Sequence, residues 1–433
     1  MGDLSNIWLI MYVLAWAIVL ICYQKRRRIF DGGSILILSY FAYAVLSYLL
    51  YNSKDGASLF KELTFFPFVY LFIMLLLAMS PVLTFDGRRV KDISEPPKRV
   101  IRNVALLFII PTIISLPHSI QHISEGLTLI LLDTTSVGQM VDEGRDFVAE
   151  TGHGGLQNIP VVLSAAFYEI GTFLFFFLLL KREKKSRWLI VFLGIGIVLA
   201  VFSSLASGSR GGPIGYLLII AGTYFMLKHF YSDKLNKIVK YIGVILCFII
   251  LIPIIAITIG RFGEDNSSSS ALFYTGQSNL YFNNYALDDN GIRYGDRTIP
   301  LFKRMIGFSN VPHNFVERRK KYPNLKINDE VFSTFVGDFA IDFGPILAFL
   351  IFLFGSIMIN YKTRMRLNGV ISFRQLLLLH LVLCICINGG VLFNFADTGG
   401  NLKLIAYFIV YLYSSVRLKP AETGIYSNSR EIS

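Results

Sequence analysis

The chain has 433 residues, of which 54% are hydrophobic and 14% aromatic, with a mean hydropathy of +0.57. That balance excludes an ordinary water-soluble domain and predicts an all-α protein that crosses a membrane many times. The net charge of +12 is dispersed through short segments between apolar runs, so nucleic acid is not an expected partner.

Runs of about 20 apolar residues are long enough for a hydrocarbon core of about 30 Å. They predict about eleven spans, near residues 4–23, 33–51, 64–84, 103–121, 161–180, 188–206, 213–231, 241–260, 335–359, 375–396 and 402–416. The first run is followed, not preceded, by its basic cluster KRRR, so it reads as a retained span and not as a cleaved signal peptide. Alternate connections carry most of the lysine and arginine: KRRR, GRRVKDISEPPKRVIR, KREKKSR, KHFYSDKLNKIVK, YKTRMRLNGVISFR and the tail. Short basic loops stay cytoplasmic, which predicts an outside N-terminus and a cytoplasmic tail at about 417–433. Two sizeable outer loops follow, an acidic one at about 119–160 and a mixed one at about 261–334, in which GEDNSSSSA reads as a mobile tip. Neither is built as an independent domain, so residues 1–433 form one integral membrane unit.

Ionisable groups inside or beside spans are the candidates for function, because the bilayer makes them costly. Glu169, in AAFYEIGTFLFF, reads equally as a base or acceptor in an outward-facing cavity and as half of an ion pair. Arg210 lies in the hairpin SSLASGSRGGPIGY between the sixth and seventh spans. Its glycines and the helix start at Pro213 suit an outer anion site, the alternative being an arginine that reaches lipid headgroups. Arg261 ends the eighth span as Arg210 ends the sixth, and two such arginines could clamp one anion. Arg293, Arg297 and the RRKK run add further positive charge to the second loop, and His313 lies in NVPHNFVERRKK as a catalytic or a surface histidine. Asp338 and Asp342 share one helix face; they read as base and orienter, or equally as caps of the helix start or partners of the loop arginines. Asn394 and Asp397 are either binding groups or helix caps.

The four cysteines lie in apolar runs without metal or disulfide spacing, and neither a Walker glycine loop nor HExxH is present, so no metal or organic cofactor is expected. The two halves also lack the matching broken helices of a secondary transporter.

The hairpin residues Ser207, Ser209, Arg210 and Gly211, with Val331-Phe332-Ser333-Thr334-Phe335 leading into Asp342-Phe343-Gly344, sit in a topology that resembles the bacterial O-antigen and capsular oligosaccharide repeat-unit polymerases of the Wzy type. The resemblance covers mainly residues 200–360. It implies a membrane glycosyltransferase of the all-helical C type in the bacterial cytoplasmic membrane, with its active site facing outward. The implied partners are membrane lipids, undecaprenyl-pyrophosphate-linked donor and acceptor oligosaccharides, and a separate chain-length regulator. An acceptor hydroxyl would attack the donor anomeric carbon and the lipid pyrophosphate would leave. The implied pyrophosphate cations are Arg210 and Arg261, joined by Arg293 or Arg297. His313, Asp342 and Glu169 are the ranked bases, and Tyr281, Asn283, Asn284, Asn314, Asp338 and Asn394 the sugar contacts. The related O-antigen ligases carry a His-Asn pair similar to His313-Asn314, so a ligase is one alternative; a lipid-linked oligosaccharide transporter is the other.

Overall fold

A computed structural model describes residues 2–132, 158–181, 186–327, 331–365 and 369–415, with the backbone alone at 2–3, 55, 57, 131–132 and 259–270. The expected tail and the part of the first outer loop at 133–157 lie outside the described residues.

The chain is a helical bundle. Its elements are α1 (Gly2–Arg27), α2 (Gly32–Tyr51), α3 (Lys54–Leu59), α4 (Phe65–Thr84), α5 (Lys98–Leu132), α6 (Ile159–Lys181), α7 (Arg187–Ala206), α8 (Gly211–Leu227), α9 (Asp233–Tyr281), α10 (Pro300–Met305), α11 (Phe315–Lys321), α12 (Thr334–Phe343), α13 (Pro345–Thr363), α14 (Phe373–Asn388) and α15 (Asp397–Tyr413). Among the described residues eight helices are long and apolar enough to cross a membrane, which makes this a multi-pass membrane protein. The seventh, tenth and eleventh expected spans are the shorter helices α8, α14 and α15, of 17, 16 and 17 residues.

Local chemistry explains where helices begin. Asp31 and Ser34 form a reciprocal capping box at the start of α2, and Ser372 with Gln375 does the same for α14. The expected span 335–359 is not one helix but two: Gly344 at φ +79° interrupts it and Pro345 opens α13. The first part of the segment expected as the second outer loop is helical. The backbone of α9 continues without a break from Asp233 through GEDNSSSSA to Tyr281, 49 residues in all, where a π-turn at Phe282–Ala286 ends it. At about 1.5 Å per residue such a helix is more than twice as long as a bilayer core is thick.

The core is continuous through the bundle. Trp16 is buried against Tyr40, with ring centroids 5.3 Å apart, and against Phe72 at 5.0 Å. Around Phe108, the glycines Gly171 of α6 and Gly196 of α7 leave room for a ring that any larger residue would meet. One end of the bundle gathers the ends of α1, α4 and α13 and a two-stranded parallel ladder, Asp92–Ser94 with Val370–Ser372. The other end gathers the α7–α8 hairpin, the start of α15 and the segment 282–327.

Candidate active site

The segment 282–327 is anchored by a buried ionic knot. Arg293 Nε lies 2.7 Å from Asp342 Oδ1, and Arg297 Nε lies 3.1 Å from Asp338 Oδ1. All four residues are buried. The second oxygen of Asp342 accepts from the backbone N–H of Thr298 and from its hydroxyl, both at 2.7 Å, while Asp338 accepts from Phe393 N–H at 2.9 Å. Asn401 closes the arrangement by donating to the carbonyls of Thr298 and Phe395. Two cations and two anions out of water are tolerable only when each faces its opposite. Of the two readings of Asp338 and Asp342, the geometry realises the pairing with loop arginines. It also turns Arg293 and Arg297 toward these carboxylates.

The other loop candidates have local partners. Asn314 caps α11 by accepting from Glu317 N–H at 2.9 Å, and His313 Nδ1 faces Arg304 Nη1 at 2.7 Å. Arg304 in turn donates to the Thr398 hydroxyl, and Arg318 pairs with Asp397 at 2.9 Å. Asn283 exchanges two hydrogen bonds with the backbone of Thr64, Asn284 accepts from Lys61 N–H, and Tyr281 packs edge-on against Phe60. These residues stitch the segment to α12, α15 and the turn before α4. The carboxyls of the segment feel that environment. Burial pushes Asp289, which accepts from Ile327 N–H, up to about 6. Burial opposes the charge of Asp296 too, but Lys303, Lys321 and the Tyr322 hydroxyl outweigh it and hold the carboxyl below its ordinary range.

A different set of residues surrounds open space. A cavity of about 320 Å3 lies among α2, α6, α8, α9 and the α14–α15 connection, lined by Tyr43, Glu169, Gly211, Gly212, Tyr216, Tyr274, Asn388, Asn394 and Lys403. Glu169 is buried, with 1% exposure, and its Oε1 accepts from Lys403 Nζ at 2.6 Å. Its other oxygen, Oε2, is buried without a partner among the described residues. Glu169, a residue of the cavity lining, therefore keeps hydrogen-bond-accepting capacity beyond its contact with Lys403.

Arg210 is not in the lining but lies against one of its residues, Tyr274. It is the residue before α8, and its guanidinium lies over the Tyr274 ring at 5.3 Å from the centroid. Gly211 permits that approach, since a Cβ there would fall 2.4 Å from the Tyr274 hydroxyl. The first turn of α8 lines the cavity through Gly211 and Gly212 and brings its positive end next to Arg210. Tyr216 packs tilted against Tyr168 with centroids 4.3 Å apart, and the exposed Asn394 completes the wall.

Of the residues singled out in the sequence, the cavity lining thus brings together Glu169, Asn394 and Gly211, and Arg210 lies next to it outside the lining. It does not include His313, Asp338, Asp342, Arg293 or Arg297, and the side chain of Arg261 lies outside the described residues. Lys403 escaped the sequence reading, although NLKLIAYFIVYLY carries the same signal as Glu169, a charge at the start of an apolar run. Tyr216 and Tyr274 had no such signal. No family model, curated protein or solved structure matches the chain.

Proposed function

We propose that the chain is a membrane glycosyltransferase that joins polyprenyl-pyrophosphate-linked oligosaccharide repeat units, with the Glu169 cavity as its active site. The observation that carries this reading is the buried Glu169 of the cavity lining, one oxygen fixed by Lys403 and the other without a partner among the described residues, with the start of α8 in the same lining and Arg210 next to it. The acceptor hydroxyl would donate its hydrogen bond, then its proton, to Glu169 Oε2 as its oxygen bonds to the donor anomeric carbon. The bond from that carbon to the pyrophosphate oxygen breaks, and the lipid pyrophosphate leaves with the electron pair. Arg210 and the start of α8 would receive the developing negative charge, arginine being suited to phosphate by its planar fork. Lys403 holds Glu169 in place and adds a second positive charge. Tyr43, Tyr216 and Tyr274 offer ring faces, and Asn388 and Asn394 offer amides, to pyranose rings and hydroxyls. The residue resemblance at Ser207–Gly211 supports the same reading and specifies the bacterial O-antigen and capsular polymerases.

In this proposal the three shorter helices complete eleven spans and the cavity opens outward, with the basic loops cytoplasmic. A cysteine replacing the exposed Asn310 should react with a membrane-impermeant thiol reagent in intact cells, and one replacing Arg89 should not; the reverse would invert the orientation. The function itself is tested by incubating the purified protein with defined undecaprenyl-pyrophosphate repeat units. A product ladder supports a polymerase. Transfer only after lipid A core is added supports a ligase, and translocation without a new glycosidic bond rejects both.

A further inference from the structure

The end of the bundle opposite the Glu169 cavity holds a second candidate site. Arg26 and Arg27 close α1, Arg88 and Arg89 lie in the turn after α4, and Arg364 follows α13; together they line a cavity of about 490 Å3. Asp86 is the only carboxylate among the described lining residues, and it already faces Arg27 at 3.0 Å, Arg88 at 2.9 Å and Arg89 at 3.6 Å. Two arginines have evident structural tasks, Arg88 by donating to the Arg27 carbonyl at the end of α1 and to Asp86. Arg27 is buried and donates to the carbonyls of Leu83 and Phe85, tying α1 to the end of α4. Arg26, Arg89 and Arg364 are exposed, so helix-end anchoring does not account for their convergence.

A second cavity, of about 260 Å3, shares Arg26, Arg27 and Thr84 with the first and continues between α1 and α4 past Tyr23, Ser80 and Leu83 to Leu76. Leu76 and Thr84 are eight positions apart on one helix, a depth of about 12 Å at 1.5 Å per residue. The combined shape is a strongly basic mouth at the membrane surface that opens into a mostly apolar slot pointing toward the bilayer interior.

We propose that these joined cavities bind an anionic phospholipid, its phosphate among the arginines and an acyl chain in the slot between α1 and α4. Basic pockets between membrane helices are suited to acidic headgroups, and arginine's fork matches phosphate oxygens. A zwitterionic lipid would leave the surplus positive charge unmatched, and a free phosphate would leave the slot unused. This inference does not rest on the glycosyltransferase reading and stands whichever face the site occupies.

The test uses the full chain in a mild nonionic detergent, with its melting temperature followed as phosphatidylglycerol is titrated in. Phosphatidylglycerol should raise the melting temperature saturably, and phosphatidylcholine at the same mole fraction should not. The triple variant Arg26→Gln, Arg89→Gln, Arg364→Gln should need about a hundredfold more phosphatidylglycerol for the same shift, at about 1 kcal/mol per arginine. The matching triple lysine variant, which keeps the charge, should recover most of the response and so separates lost binding from a folding defect. An unchanged response in the glutamine variant overturns the proposal. So does stabilisation of the wild type by inorganic phosphate to the extent given by the lipid, which would make this a free-anion site.

Discussion

Glu169→Gln is the substitution that most directly probes the proposed active site. Glutamine has the shape of glutamate and can still accept from Lys403 through its carbonyl oxygen, so the 2.6 Å contact survives as a hydrogen bond while its ionic part is lost. Two effects follow, of different size. For stability, Lys403 keeps some solvent access, with 20% of its side chain exposed, whereas Glu169 has essentially none. Loss of the charge partner should therefore cost less than the ~3–5 kcal/mol of a fully buried orphaned ion, about 1–3 kcal/mol in this geometry. Adding Lys403→Met should return part of that cost, because the double variant leaves no lone charge, and a coupling of about 1–3 kcal/mol is expected from the cycle. For catalysis, the amide cannot take the proton of the acceptor hydroxyl, and removal of a positioned base typically lowers the rate by about 10²–10⁴-fold. The assay is the initial rate of product-ladder formation by purified protein at saturating repeat unit, with the melting temperature measured on the same samples. A glutamine variant that polymerises within about threefold of wild type would remove Glu169 from the chemistry and reduce its contact with Lys403 to a structural tie.

Arg210→Ala should abolish ladder formation while the protein remains inserted, and Arg210→Lys should recover only part of the activity, because an ammonium lacks the bidentate geometry toward phosphate; wild-type chain synthesis by the alanine variant would count against the arginine's role. Asp342→Asn leaves Arg293 facing a neutral amide and should destabilise the segment 282–327 by about 3–5 kcal/mol, read as loss of protease resistance in that segment. Asp289, whose carboxyl is raised from 3.8 to about 6, is stabilising in its protonated form. Its contribution should be complete below pH 3.8 and fall away as the pH rises through about 6, so amide protection factors near Ile327, corrected for the intrinsic rise of exchange with pH, should fall from pH 5 to pH 7.5, and Asp289→Asn should remove that fall.

Much of the helical skeleton was legible because hydropathy and capping are local properties. The boundaries of α2, α4, α6 and α7 lie close to the apolar runs, and Asp31-Gly-Gly-Ser34 announces its own capping box. The division at Gly344-Pro345 was also written locally, but the apolar residues on both sides concealed it from a reading by hydropathy. The continuation of α9 through GEDNSSSSA ran against local composition. Propensity is a weak prior, and a helix already propagating from an apolar span adds a hydrogen bond with each residue without a new nucleus.

The candidate site divides in the same way. Glu169 and Arg210 could be named from one sequence because a charge beside an apolar run is conspicuous wherever the chain later carries it. Arg293 and Arg297 looked as available as Arg210, and Asp342 looked as reactive as Glu169. Their mutual distances decided otherwise, pairing residues more than forty positions apart. The sequence by itself determined that this chain lives in a membrane, where its apolar runs fall and which charges are costly. Only the tertiary structure decided which of those charges neutralise one another and which face a cavity: desolvation is felt by each residue alone, whereas compensation depends on where its partner has been folded.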